Sequence, residues 1–160
     1  FVLPEGFIPK SGARVMSLAD PSRKMSKSDE NPKSYVSILD PKDTIIKKFK
    51  SAVTDSGSEV RRGEDKPGIN NLISIYCAFT GKTPEEIEKE FEGKGYGIFK
   101  AAVGEAAADV LAPIGAEYTR LMADKGYLEA LMKKGKEQAE FRASRTLRKV
   151  YKKVGFAQLP

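Results

Sequence analysis

The sequence predicts a mainly α fold: a small α/β remnant followed by an all-helical unit. Three observations carry that expectation. Residues 1–40 are rich in Pro, Gly and Ser and hold only short apolar runs. From Asp40 onward the apolar residues recur at helical spacing. Helix start and stop signals, a Thr-x-x-Glu box and several Gly stops among them, punctuate that second stretch.

In chain order, Ala13–Leu18 and Tyr35–Leu39 read as short strands. Between them, Ala19–Ser34 holds two prolines and many polar residues and reads as an exposed loop. A loop of that length inside a compact domain is uncommon and often functional. Asp40 is a good N-cap, Pro41 a good first helical residue, and Asp43 sits near the positive dipole end. Ile45, Ile46, Phe49, Ala52 and Val53 then share one face, with Lys42, Lys47, Lys48 and Lys50 largely off it. A polar loop follows over 54–68. A second helix is expected from about Asn70 to Thr80, turning Leu72, Ile73, Tyr76 and Phe79 inward and stopped by Gly81.

Thr83-Pro84-Glu85-Glu86 is a capping box with Pro at the first helical position, and it opens a third helix that buries Ile87 and Phe91. A fourth helix is expected from about Tyr96 to Ala123, with Ile98, Phe99, Ala102, Val103, Ala106, Val110, Ile114 and Leu121 on its apolar face. Pro113 inside it should kink or split it, because its ring removes a backbone donor. A fifth runs from about Tyr127 to Val154 and buries Leu128, Leu131, Met132, Ala139, Ala143, Leu147, Val150 and Val154. Gly155 supplies a left-handed stop, and Phe156 is expected to fold back on Tyr151. No internal repeat of 20 to 50 residues is visible.

Composition narrows the chemistry. The 160 residues hold 28 Lys+Arg, 22 Asp+Glu, one Cys and neither His nor Trp. Without His there is no Ser/His/Asp triad, no Cys/His dyad, no His proton shuttle and no His-containing zinc site. The lone Cys77 forms no internal disulfide and suits a reducing, cytoplasmic setting; its default reading is buried and inert. No apolar run approaches membrane-spanning length, so no membrane partner is expected. The opening Phe1-Val2-Leu3-Pro4 has no initiator Met and reads like the middle of a buried strand, so the chain is expected to be a piece of a longer protein.

The net charge of +6 is unevenly placed. Arg23–Lys50 carries eight basic and four acidic residues, and Lys133–Lys153 nine basic and two acidic. Between them, Glu85–Glu92 carries five Glu and one Lys. Two basic stretches suit anionic partners such as nucleotide or nucleic acid, or else they are solvated helix faces.

One segment carries chemistry: Lys24-Met25-Ser26-Lys27-Ser28, followed by Asp29 and Glu30. Two compact ammonium groups three residues apart, with hydroxyls and backbone donors between them, suit a polyphosphate. Such donors stabilise charge developing on a leaving pyrophosphate best when they close late, in the transition state. No acid or base is required of them. The chain has neither the Gly-x-x-x-x-Gly-Lys-Ser/Thr pattern nor Gly-x-Gly-x-x-Gly.

The same pentapeptide is identical to the KMSKS signature of class I aminoacyl-tRNA synthetases. Its surroundings closely resemble bacterial tryptophanyl-tRNA synthetases: Gly12-Ala13-Arg14-Val15-Met16-Ser17-Leu18 leading into Asp20-Pro21, and Ala52-Val53-Thr54-Asp55-Ser56. So do Gly68-Ile69-Asn70-Asn71-Leu72, Phe91-Glu92-Gly93-Lys94-Gly95-Tyr96-Gly97 and Ala143-Ser144-Arg145-Thr146-Leu147. The resemblance covers essentially all 160 residues but only the C-terminal half of that family.

The resemblance implies a helical anticodon-binding domain over 41–160, preceded over 1–40 by the last strands and KMSKS loop of a Rossmann-like catalytic α/β domain. It implies ATP-dependent activation of tryptophan and its transfer to tRNA(Trp), with Mg2+ on the ATP phosphates and no protein ligand assigned to it. Lys24 and Lys27 match the family's catalytic lysines. Val15, Met16, Met25, Ser26 and Ser28 match positions near the nucleotide, with Val15 and Met16 on the strand where family members place adenine by main-chain contacts. Arg142, Arg145, Arg148 and Lys149 are candidates for tRNA contact, or they complement the helix dipole. A cytoplasmic homodimer is implied for the parent enzyme, and this chain alone is expected to be inactive, since the tryptophan pocket belongs to the other half. Two alternatives stay open: the C-terminal half of a tyrosyl-tRNA synthetase, and a non-catalytic helical RNA-binding module.

Overall fold

A computed structural model describes residues 2–9 and 12–156. Among the described residues five helices follow in order: α1 (Lys42–Lys50), α2 (Pro67–Thr80), α3 (Pro84–Glu90), α4 (Gly95–Ala123) and α5 (Lys125–Val154). The mainly α expectation is borne out. The chain divides into two compact units, Phe1–Ala116 and Glu117–Pro160.

In the first unit the core lies among α1 to α4. Ile45 and Phe49 of α1, Ile69, Leu72, Ile73 and Tyr76 of α2, Ile87 of α3, and Phe99, Val103, Ala107 and Ala108 of α4 are buried. Tyr76, Phe91 and Phe99 meet edge-to-face with ring centroids 5.8, 5.9 and 4.9 Å apart. Gly104 lets α4 approach α1, since a Cβ there would stand 3.0 Å from the Ile46 Cα. The Thr83 capping box forms with both arms, Glu86 N–H to Thr83 Oγ1 and Thr83 N–H to the Glu86 carboxylate. Gly81 ends α2 in the left-handed region at φ 72° and donates to the Cys77 carbonyl. Cys77 is buried, and burial pushes its thiol pKa up.

Several expectations are corrected. Ala13–Leu18 and Tyr35–Leu39 do not form strands; a single antiparallel bridge, Met16 with Lys24, stands in their place. A strand needs a neighbouring strand, and here most of the pairing groups come from turns and side chains. Val2 and Leu3 are exposed outside any strand; Phe1, which began that reading, lies outside the described residues. Asp40 does not cap α1. Its carboxylate accepts from the Ser37 N–H and pairs with Lys48 Nζ at 2.6 Å, leaving Pro41 as N-cap. Val53 lies past the end of α1, half exposed. Pro113 does not split α4. Ile98, Val110 and Ile114 of that helix are exposed, because the buried stripe runs instead through Phe99, Val103 and Ala107.

In the second unit, Asp124 caps α5 by accepting from the Tyr127 N–H at 2.9 Å. Gly155 ends the helix at φ 76°, and the Phe156 ring meets Tyr151 at 5.7 Å, as expected. The expected buried face of α5 is not buried: Leu131, Met132, Leu147, Val150 and Val154 are exposed, and Leu128 is only half-buried. An amphipathic face is buried only where another surface covers it.

Candidate functional site

Backbone pairing builds the site. Ser17 N–H donates to the Arg23 carbonyl at 2.8 Å, and Met25 N–H to the Val15 carbonyl at 3.0 Å. These two bonds flank the Met16–Lys24 bridge, so the two residues face each other as a non-hydrogen-bonded antiparallel pair. On the opposite edge, Leu18 N–H reaches the Ser34 carbonyl at 3.0 Å, and Val53 N–H reaches the Leu18 carbonyl at 2.7 Å. The Asn71 carboxamide fills the remaining gap with two bonds to the Met16 backbone.

Past the bridge the chain is exposed, as expected of a loop, but it is held by short turns. Asp29 accepts from the Asn31 N–H and Asn31 from the Lys33 N–H, at 2.9 and 3.0 Å. Ser34 then tucks in, buried, with its N–H on the Asn31 carbonyl. Ser17 Oγ accepts from the Ala19 and Asp20 N–H groups and closes the other end.

Lys24, Lys27, Val15 and Met25 line one cleft of about 360 Å3, together with Gly12, Ala13, Tyr35 and Val36. Both lysines are exposed. The cleft therefore combines two cations with apolar and aromatic walls, a combination suited to a phosphorylated ligand with a flat apolar part. Three other residues singled out from sequence lie outside that lining. Ser26 and Ser28 turn toward each other with hydroxyls 3.0 Å apart. Met16 has its N–H and carbonyl engaged by Asn71.

Sequence reasoning missed Tyr35 as part of the cleft. Its ring lies beneath Lys48 Nζ, 5.1 Å from the centroid, while Asp40 holds that same ammonium. Its place inside an apparent strand carried no signal for this. A second polar cluster was also missed. Asp55, Lys66 and Tyr96 meet where the 54–66 loop reaches α4, with Lys66 Nζ donating to Tyr96 Oη at 2.6 Å and to Asp55 Oδ1 at 3.1 Å. Asp55 Oδ1 also accepts from the Gly57 N–H at 2.8 Å, closing a turn where the chain leaves α1. Burial opposes ionisation of Asp55, but hydrogen bonds from Tyr96, Gly57 and Lys66 outweigh it and lower its pKa. The Tyr96 hydroxyl and Asp55 raise that of Lys66.

In the second unit, Arg142, Arg145, Arg148 and Lys149 are all exposed along α5. Arg148 Nε donates to the Ser144 carbonyl at 3.3 Å. Among the described residues, no group of three or more His, Cys, Asp or Glu side chains could hold a metal ion. No helix among them is long and apolar enough to cross a membrane.

The family model for class I tRNA synthetases (W and Y) matches residues 1–112. A tryptophan–tRNA ligase of Clostridium perfringens is 48% identical over 155 residues, 97% of this chain and 47% of that protein. One of Bacillus anthracis is 50% identical over 159 residues, 99% of this chain and 48% of that protein. Among solved structures, tryptophanyl-tRNA synthetase of Mycoplasma pneumoniae aligns with TM-score 0.78 at 29% identity, over 93% of this chain and 45% of that one. The Campylobacter jejuni enzyme, complexed with ADP and tryptophan, aligns with TM-score 0.68 at 26% identity, over 98% and 48%. The chain thus spans about half the length of the relatives it matches.

Proposed function

The chain belongs to the class I tRNA synthetases of the W and Y group, and from that premise we propose that it supplies the nucleotide loop and tRNA-binding helices of a tryptophan–tRNA ligase. The observation that carries this reading is the shared cleft of Lys24 and Lys27, with Val15, Met25, Tyr35 and Val36 in its lining. In the reaction, a tryptophan carboxylate oxygen bonds to the ATP α-phosphorus while the bond to the β-phosphate bridging oxygen breaks. Pyrophosphate leaves with the negative charge. Lys24 and Lys27 meet that charge as it develops, which places their effect on the transition state. Val15, Met25 and the nearby Met16, Ser26 and Ser28 shape the nucleotide site around them. Mg2+ bound to the phosphates would neutralise part of their charge, with no residue of this chain assigned to hold it.

On this reading residues 1–40 are the edge of the catalytic domain, and 41–160 form the helical domain that receives tRNA(Trp). Arg142, Arg145, Arg148 and Lys149 are the candidate phosphate contacts there. The working enzyme is a cytoplasmic homodimer, and this chain alone does not activate tryptophan.

The test titrates ATP into the chain with Mg2+, followed by 31P NMR. Phosphate resonances should shift for the wild type, and the Lys24→Ala/Lys27→Ala variant should keep most of that binding while losing exchange in the second arm. A second arm joins the chain to the preceding half of the Bacillus anthracis relative. That chimera should show tryptophan-dependent pyrophosphate exchange and charge tRNA(Trp) in preference to tRNA(Tyr). Exchange by the 160-residue chain unaided would overturn its assignment as a part, and a chimera carrying both lysine substitutions that kept wild-type exchange would overturn the lysine roles.

A further inference from the structure

We propose that Asn71, on α2, is a positioning residue that fixes the register of Lys24 through the backbone of Met16, an inference that rests on the nucleotide reading of the lysine loop. The Asn71 side chain is buried, 6% exposed. Its Oδ1 accepts from the Met16 N–H at 2.9 Å, and its Nδ2 donates to the Met16 carbonyl at 2.9 Å. One carboxamide thus copies the donor and acceptor of a neighbouring strand residue.

The hairpin depends on such help. Only two ladder bonds join its arms, Ser17 to Arg23 and Met25 to Val15. Two short paired segments on their own are marginal in water. Register is also unforgiving, because a slip of one residue turns every side chain to the other face. Such a slip would carry Lys24 off the face where it opposes Met16. Leu18 N–H and carbonyl are held by Ser34 and Val53, so with Asn71 in place the outer edge is paired at both alternate residues. Asn71 is the member of that edge that lies directly behind the Met16–Lys24 pair. It ties the position of the first lysine to α2, a helix from the part of the chain read above as tRNA-binding.

The neighbouring residue supplies the control. Asn70 makes the same kind of double bond to another backbone, accepting from the Gly63 N–H at 3.1 Å and donating to the Gly63 carbonyl at 2.6 Å. It removes two equivalent hydrogen bonds when truncated, but in the 54–66 loop and away from Lys24.

The experiment compares Asn71→Ala with Asn70→Ala in the full chain. Both should lower the thermal midpoint by similar amounts. Only Asn71→Ala should speed amide exchange at Ser17 and Met25, the two ladder donors, and weaken ATP binding by about tenfold. Asn71→Asp is the second variant should the alanine form fail to fold; it keeps the acceptor for Met16 N–H, loses the donor, and should change exchange and affinity in the same direction. ATP affinity within about twofold of wild type in a folded Asn71 variant, with ladder exchange unchanged, would overturn the proposal, as would an equal loss in Asn70→Ala. A wild-type chain that binds no ATP, while the exchange contrast holds, overturns the nucleotide reading and supports the register role.

Discussion

The Tyr96 hydroxyl lies 2.8 Å from both carboxylate oxygens of Asp55, forty-one residues earlier in the chain. It donates to Asp55 while accepting from Lys66 Nζ, so each polar group in this largely buried corner has a partner. Removing the hydroxyl leaves an acid and an ammonium short of one bond each. Tyr96→Phe is expected to destabilise the first unit by about 1–3 kcal/mol. Urea unfolding followed by circular dichroism would measure it, and a change below a few tenths of that would contradict the network's role.

The same cluster sets a pH dependence. Asp55 has a lowered pKa in the folded state, so its contribution is present above its unfolded value of about 4 and is lost as pH falls through the lowered value. Lys66 has a raised pKa, so its contribution is full below about pH 10 and is lost as pH rises through the raised value. Asp55→Asn should therefore flatten the acid limb of a thermal midpoint profile, and Lys66→Met the alkaline limb. Unchanged limbs would refute the assignment.

Gly68 and Gly135 should respond to alanine in opposite ways. A Cβ at Gly68 would overlap the Val53 carbonyl oxygen, part of the backbone that follows α1. Gly68→Ala is expected to cost about 1–3 kcal/mol through forced displacement. Gly135 sits inside α5 with open space around it, and Gly135→Ala should stabilise the helix by about 1 kcal/mol. Thermal scans of the two variants check both signs.

Lys27→Ala should act late in the reaction. In the chimera carrying the Bacillus anthracis half, pyrophosphate exchange should lose about 3 kcal/mol of transition-state stabilisation, mostly in kcat. If only the KM for ATP rose, Lys27 would be a ground-state binder.

The basic residues of α5 should show themselves in salt dependence. Arg145→Gln and Lys149→Gln should each lower the slope of log affinity for tRNA against log salt by about one. Slopes equal to wild type would leave these residues as dipole-complementing cations only.

The local signals in the sequence determined a great deal. The Thr83–Glu86 box, the Gly81 and Gly155 stops and the Phe156 fold-back on Tyr151 all form, because each is completed by residues within a few positions of one another. The lysine loop was legible for the same reason: its pentapeptide is contiguous, and turns at Asp29 and Asn31 stitch the chain that follows it. Tertiary structure alone decided whatever needed a distant partner. Asp40 turned from an N-cap into the carboxylate that holds Lys48 over Tyr35. Asn71, an ordinary polar residue on a helix, became the missing strand edge for Met16. Helical periodicity gave α5 an apolar face but could not say whether a surface covers it, and here Leu131, Met132 and Val154 remain exposed. A pattern in sequence specifies which groups a segment offers; only contacts across the fold decide which of them are satisfied.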